Sequence, residues 1–272
     1  MRWEDEIREV RRREQIAYQM GGAERVARQH ANGRYTVRER VALLLDAGTF
    51  HEYGAITGKA EYDQAGELKS FTPSNFVSGT GELDGRRVVL AADDFTVRGG
   101  AADARVGNKM EFTEKLALDL KLPIVRLVDG TGGGGSVKTL ETAGYTYVPI
   151  LRGFETSMKL LGAVPVVGAC MGSVAGLGAI RVAASHFSVM VKGTSQLFVA
   201  GPPVVERGLG RKVSKEELGG SELHAHGSGV VDNEVATEEE AFEQIKRFLS
   251  YLPPNVYELP PRVEPTDRPD RR

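Results

Sequence analysis

No stretch of this 272-residue chain constrains its fold more than Leu122–Ser136. Ile124-Val125 and Leu127-Val128 form a branched aliphatic run that ends at Asp129, passes Gly130 and opens into Gly132-Gly133-Gly134-Gly135. A short β-branched run closed by glycine reads as a buried strand leaving a sheet. Adjacent glycines leave backbone bare toward a ligand and tolerate positive φ. Successive N–H groups in such a turn converge on one oxygen, as an anion nest or an oxyanion hole. A floppy surface loop would explain one such stretch. The pattern returns, however, at Val164–Gly178, another apolar run opening into spaced glycines.

Glycine, 33 of 272 residues, is well above the usual share of about 7% and clusters at strand ends, which favours sites built from backbone. The net charge of −2 gives no field for nucleic acid or a membrane surface. Cys170 is the only cysteine, so disulfide frameworks and four-cysteine zinc sites are excluded. Among the five histidines only His224-x-His226 has loosely zinc-like spacing, and a solvated loop pair accounts for it; no bound metal is expected. Leu160–Ile180 carries no charge and is long enough to span a membrane. Its glycines and Pro165 are spaced as strand, turn and helix start, so it reads as buried core. Trp3–Glu14 is too charged for a signal peptide. The expected location is cytoplasmic.

Helical spacing is expected from Met1 to about His30, interrupted at Gly21-Gly22, and over Val37–Asp46 with Thr36 as cap and Gly48 as terminator. Phe50–Gly54 begins extended structure and Ala60–Ser70 reads as a polar loop. Phe76–Leu83, Asp84-Gly85 and Arg86–Ala92 form a hairpin. Asp93–Val97 reads as a strand feeding the turn Arg98–Ala101. Helix Lys109–Leu120, strand Ile124–Val128, helix Ile150–Leu161, strand Val164–Cys170 and helix Val174–Ala184 follow. Then come strands Phe187–Val191 and Gln196–Ala200, and helices Ser214–Leu218 and Glu238–Tyr251. Alternating helices and strands with glycine turns at strand carboxyl ends predict an α/β fold with ligands at those turns.

Several familiar sites fail on inspection. Gly130-x-Gly132-x-x-Gly135 satisfies a dinucleotide pattern, yet no helix opens directly behind it and no acidic residue ends a strand about 20 positions on. Ser136, Ser173 and Ser228 each lack a glycine needed for a nucleophile elbow. Cys170 ends a hydrophobic run and reads as a small core residue. Asp93, Asp94 and Asp129 read as turn caps before acid/base groups. Glycine turns with few side-chain catalysts suit a reaction whose hard step is enolate formation, with backbone N–H groups holding the oxyanion and the proton acceptor supplied by substrate or cofactor.

Several motifs together resemble one family. Gly21-Gly22, Arg28-Gln29-His30-Ala31-Asn32-Gly33-Arg34, Val37-Arg38-Glu39-Arg40 and Leu43–Phe50 look like the opening signature of acyl-CoA carboxylase carboxyltransferase β-subunits of the propionyl-CoA and methylcrotonyl-CoA carboxylase type. Asp94–Gly100 resembles their D-F-T-V-x-G-G loop, and Thr194–Leu218, with Phe198–Pro203 and then Glu217–Gly220, resembles a further segment. The resemblance implies a crotonase-like (ClpP/crotonase) fold of stacked βαβ units, with residues 1–254 as the N-terminal acyl-CoA carboxyltransferase domain. Residues 255–272 would then be a proline-rich tail or linker toward a missing C-terminal half. It implies a carboxyltransferase component of a biotin-dependent acyl-CoA carboxylase. Carboxybiotin on a separate carrier domain releases CO2, biotin takes the α-proton, and the thioester enolate attacks.

Residue by residue, the family's D-S-G-G-A turn falls on Asp129–Gly134, so Gly132, Gly133 and Gly134 are the implied donors to the enolate oxygen. Its second turn falls on Gly172–Gly178, so Gly172, Ala175, Gly176 and Gly178 would line the acyl pocket. Gly99, Gly100 and Ala101 would lie along the coenzyme A thioester. The extra residues at Asp129–Gly132 and Leu177 in place of a glycine depart from the family pattern. The chain resembles only the first of two similar halves. Implied partners are acyl-CoA, the biotin carboxyl carrier protein, the biotin carboxylase subunit and a C-terminal carboxyltransferase half on another chain, in an oligomer. Alternatives are a biotin-dependent malonyl- or methylmalonyl-CoA decarboxylase subunit and a non-catalytic acyl-CoA-binding scaffold subunit.

Overall fold

The computed structural model describes residues 3–101, 108–130, 141, 144–145, 153–260, 262, 267 and 270–271. Three helices lead the chain: α1 (Glu4–Tyr18), α2 (Ala23–Ala31) and α3 (Val37–Leu44). Thr36 and Glu39 close a reciprocal capping box at the start of α3. This helix stops at Leu44 rather than Asp46 because Asp46 is used elsewhere. Its carboxylate accepts the N–H groups of Asp84 and Gly85 at 3.1 and 2.8 Å.

After β1 (His51–Glu52), the stretch Ala60–Ser70 is not a loop. It forms most of a two-stranded hairpin, β2 (Gly58–Tyr62) and β3 (Leu68–Pro73). Asp63 makes the turn by accepting N–H groups of Ala65 and Glu67, both at 2.9 Å, while Leu68 and Phe71 bury against Ile16 and Ala17 of α1. Tertiary cover supplied the hydrophobic partner that local polarity concealed. The expected hairpin β4 (Phe76–Leu83) and β5 (Arg86–Asp93) turns through Asp84 and Gly85, both at positive φ.

Strand β5 runs one residue past the expected Ala92, and the separate strand expected at Asp93–Val97 does not form. The Asp94 carboxylate accepts the Thr96 N–H at 2.9 Å and hydroxyl at 2.6 Å, bending the chain into a short 3-10 turn at Arg98–Gly100. There follow α4 (Lys109–Leu120), β6 (Ile124–Val128), α5 (Phe154–Leu161) and β7 (Val166–Cys170). Residues 150–152 of the expected helix lie outside the described ones, and Gly153, at φ 78°, caps α5. The expected helix at Val174 begins later, as α6 (Leu177–Ala183). Ser173–Ala175 is first a strand, β8, paired with β10 (Gln196–Phe198). Helix α7 (Pro202–Leu209) was not expected, although Pro202 suits a first helical position. The chain continues through β9 (Phe187–Val191), which precedes β10, then α8 (Lys215–Gly219), β11 (Asn233–Val235) and α9 (Glu238–Ser250).

The main sheet has the order β1-β4-β5-β6-β7-β9-β11, antiparallel up to β5 and parallel from β5 onward. One face packs on α3 and α9 through Val41, Leu44, Phe242 and Ile245; the other packs on α4 and α5 through Ala117 and Leu160. Leu160–Ile180 threads this core as helix end, strand, turn and helix start. No helix among the described residues is long and apolar enough to cross a membrane.

Candidate functional site

Strands β5, β6 and β7 are parallel neighbours, so their carboxyl ends share one edge and their glycine turns meet there. The meeting is backbone to backbone. A Cβ placed on Gly100 would lie 2.6 Å from the Asp129 carbonyl oxygen and 2.8 Å from Gly130 Cα. One placed on Gly130 would lie 2.7 Å from Gly100 Cα. Gly178, one residue inside α6, brings its would-be Cβ to 3.5 Å from the Gly130 carbonyl oxygen. A Cβ on Gly172 would run into the Asp129 carboxylate and the Arg34 guanidinium.

Two glycines behave differently. At Gly99 (φ 63°) an added Cβ meets only the Phe95 ring, at 3.9 Å, and at Gly176 (φ 62°) only the Val199 carbonyl, at 4.0 Å. Their bare backbone faces open space. Ala101 is buried and its carbonyl accepts the Asn75 amide at 2.8 Å, while Ala175 is half-buried in β8. Gly132, Gly133 and Gly134 lie outside the described residues. Of the expected positions, Gly99, Gly100, Gly172 and Gly178 are thus gathered around Asp129 and Gly130, with Gly176 opening beside them.

Beneath this junction lies a buried charge network. Arg40, on α3, donates to Asp129 Oδ2 at 2.7 Å, to both Glu238 oxygens at 2.6 and 2.8 Å, and to the Met171 carbonyl at 3.0 Å. Gln29 and Arg34 also donate to Asp129, each at 3.3 Å. Burial opposes the charge on Arg40, but Asp129 and Glu238 more than offset it, so its pKa lies above the ordinary arginine value. Asp93, at the end of β5, pairs with Arg181 at 3.3 Å and accepts the Asp129 N–H at 3.3 Å. Burial raises the Asp94 carboxyl, its bonds to Thr96 only partly countering this. Asp129, the carboxylate nearest the turns, is therefore committed to arginine and glutamine and stands as an anchor for the turn.

Arg25, Arg28 and Arg98 line a second feature, a cleft that reaches Gly99 and has Phe95 and Thr96 on its wall. Cationic side chains beside bare backbone suit a phosphorylated ligand. Burial pushes the Cys170 thiol up to about 12 and it is fully enclosed, as expected of a core residue. No group of three potential metal ligands occurs among the described residues. His224 instead bonds the Leu197 carbonyl at 2.7 Å, and His226 faces Glu234 at 3.9 Å.

Sequence reasoning missed Arg40, Arg181 and Glu238 as partners of the turn. For Arg40 a signal existed: it shares the buried face of α3 with Val37, Val41 and Leu44, where a lone guanidinium needs a buried acid. Nothing local pairs it with Glu238, 198 residues away.

Residues 28–272 match the carboxyl transferase domain family. The chain is 35% identical over its whole length to the propionyl-CoA carboxylase carboxyltransferase subunit of Haloferax mediterranei, spanning 52% of that protein. It is 34% identical over 92% of its length to methylmalonyl-CoA decarboxylase subunit alpha of Veillonella parvula, spanning 48% of it. Transcarboxylase 12S, crystallised with methylmalonyl-coenzyme A and methylmalonic acid bound, superposes on 98% of the chain with a TM-score of 0.80 and 30% identity, over 51% of its own length. The chain spans about half the length of the relatives it matches, and its mixed α/β fold is related to that of transcarboxylase 12S.

Proposed function

The chain belongs to the carboxyl transferase domain family, and from that premise we propose that it is the carboxyltransferase component of a biotin-dependent acyl-CoA carboxylase, binding an acyl-CoA and stabilising its enolate. The observation that carries this reading is the backbone junction of Gly100, Gly130 and Gly178 at the sheet edge, with bare backbone open at Gly99 and Gly176. Close backbone packing holds the chain rigidly at these strand ends, and N–H dipoles preorganised on such a frame lower the free energy of a developing oxyanion. Gly132, Gly133 and Gly134, which continue from Gly130, are the proposed donors to the enolate oxygen. Ala101, Gly172 and Ala175 complete the proposed walls along the thioester and acyl group. Arg25, Arg28 and Arg98 are proposed to receive the coenzyme A phosphates.

This chain's carboxylates at the junction fit a positioning role rather than that of a base: Asp129 is held by Arg40, and Asp93 by Arg181. Biotin, bound on its own carrier, supplies CO2 and the proton acceptor. This chain holds the thioester; a C-terminal carboxyltransferase half on another chain completes the site, with the biotin carboxyl carrier protein and biotin carboxylase as further partners in an oligomer. In this reading residues 1–254 form a crotonase-like domain of stacked βαβ units, 255–272 a linker, and the enzyme is cytoplasmic. Mixing the chain with such a half and carboxybiotin should convert propionyl-CoA to its carboxylated thioester. No product, where a full-length relative yields it, defeats the proposal.

The similarity to a methylmalonyl-CoA decarboxylase subunit favours one second reading, the same chemistry run in reverse. Supplying methylmalonyl-CoA to the same mixture and measuring which direction predominates separates the two. Coenzyme A binding by calorimetry without turnover in either direction would support the scaffold subunit instead.

A further inference from the structure

Arg126 and Arg181 form the floor of a cleft between α4, α5 and α6, on the sheet face opposite the Arg40 network. Met158, Leu177 and Ile180 form the apolar walls of this open cleft. Arg126 sits mid-strand in β6 and is 1% exposed. One of its amino nitrogens donates to Glu114 at 2.8 Å and the other to the carbonyls of Arg181 and Ala184, both at 3.3 Å. Its Nε has no acceptor among the described residues. Arg181, 3% exposed, spends Nη1 on Asp93, while Nε and Nη2 have no acceptor among the described residues. Three buried cationic donor atoms thus stay unmade at the base of an apolar cleft, which costs free energy unless an acceptor enters.

The sign of that acceptor follows from the charges. Glu114 is already shared between Arg126 and the Ser157 hydroxyl, and Asp93 between Arg181 and the Asp129 N–H. Burial pulls the Arg126 pKa down to about 10, Glu114 only partly offsets this, and Arg181 adds repulsion. A further negative charge is therefore favoured over a neutral acceptor. Guanidinium forks match carboxylate geometry, and the walls exclude polar chains. We propose that this cleft binds a short aliphatic chain ending in a carboxylate, its body against Met158, Leu177 and Ile180 and its oxygens, after a small turn of the guanidinium groups, on Arg126 Nε and on Arg181 Nε and Nη2. Leu177 follows directly on Gly176, so the chain is either a free short-chain acid or the far end of an acyl group whose thioester lies at the glycine junction. The binding itself does not depend on the carboxyltransferase reading.

The 272-residue chain titrated with butyrate at constant ionic strength, by calorimetry and saturation-transfer NMR, tests this. The expected Kd is on the order of millimolar, as for other ligands of this size, and at least about tenfold tighter than that of 1-butanol or butylamine. Arg181→Met should weaken butyrate about tenfold. Because it also breaks a buried ion pair, Ile180→Trp carries the decision: residue 180 is 45% exposed and belongs to neither ion pair, so an indole there is expected to fill the mouth and leave the pairs in place. Loss of butyrate binding in folded Ile180→Trp supports the site. Equal binding of butyrate and butanol, undiminished binding in Ile180→Trp, or no butyrate binding overturns it. Displacement of butyrate by succinyl-CoA but not butyryl-CoA identifies the acyl chain as the source, and displacement by neither identifies a free acid. Displacement by butyryl-CoA as well, which has no terminal carboxylate, counts against the site.

Discussion

Arg40 and Asp129, 89 residues apart in the chain, meet at 2.7 Å with neither side chain more than 1% exposed. Their contact ties an N-terminal helix to the residue at which the central strand opens into glycine. Because Arg40 also grips Glu238, three distant segments converge on one guanidinium.

Removing that guanidinium leaves two buried carboxylates without their main partner. Arg40→Met should cost about 3–5 kcal/mol in denaturant unfolding, as for other broken buried pairs. Arg40→Lys keeps the charge but not the fork, and should recover only part of the loss. A change under 1 kcal/mol for Arg40→Met would show that the network is not an anchor.

The two neighbouring glycines should respond differently to alanine. Gly100→Ala places a methyl 2.6 Å from a carbonyl oxygen at φ 67° and should destabilise by about 3 kcal/mol or more. Gly99→Ala meets open space and pays only for its positive φ, about 1 kcal/mol. The folded Gly99→Ala protein should nonetheless bind coenzyme A thioesters more weakly, as calorimetry would measure. Unchanged affinity would remove Gly99 from the ligand surface.

Charge reversal in the arginine cleft offers a check that leaves the core alone. Arg28 is exposed and pairs only with Glu24 at 3.1 Å among its described ion pairs. Arg28→Glu should weaken coenzyme A about tenfold at low salt, and the difference should shrink by 0.5 M salt through screening. Equal binding at all salt concentrations would place the phosphates elsewhere.

Lys109, at the start of α4, donates to the Gly54 carbonyl at 3.1 Å. Burial lowers its pKa to about 8, Glu52 opposing and Arg38 adding to the shift. The unfolded chain keeps its proton to about pH 10.4. Stability attributable to this group should therefore rise with pH from about 8 to 10, since the native state has already released a proton the unfolded state retains. Comparing wild type with Lys109→Met across that window tests the sign. Labelled dimethyl-lysine NMR should find one ammonium titrating near 8.

Cys170 should resist alkylation in the native protein at pH 8 and react only as fast as the chain unfolds. Its thiol is enclosed and pushed up to about 12. Rapid native-state labelling, followed by mass spectrometry, would contradict its place in the core.

The local pattern in the sequence determined the strands that carry the site. Ile124–Val128 and Phe187–Val191 are buried on both faces and read as apolar runs interrupted only by Arg126 and Ser188. The Asp84-Gly85 turn was legible because both residues favour positive φ, and the Thr36 cap because Glu39 three residues on completes it; each recurs in the structure where the sequence places it. What lay beyond reach was set by partners distant in the chain. Ala60–Ser70 became a hairpin because α1 covers it. The strand expected at Asp93–Val97 was lost to a closer cause, Asp94 turning its own backbone. Only the tertiary structure decided why particular glycines are glycine. Gly100 and Gly130 are bare because other backbone lies against them and Gly178 because the Val174 side chain does, whereas Gly99 and Gly176 are bare over open space. A sequence records the missing side chain in both cases alike; which neighbour occupies the space where it would have been is settled by packing across the sheet.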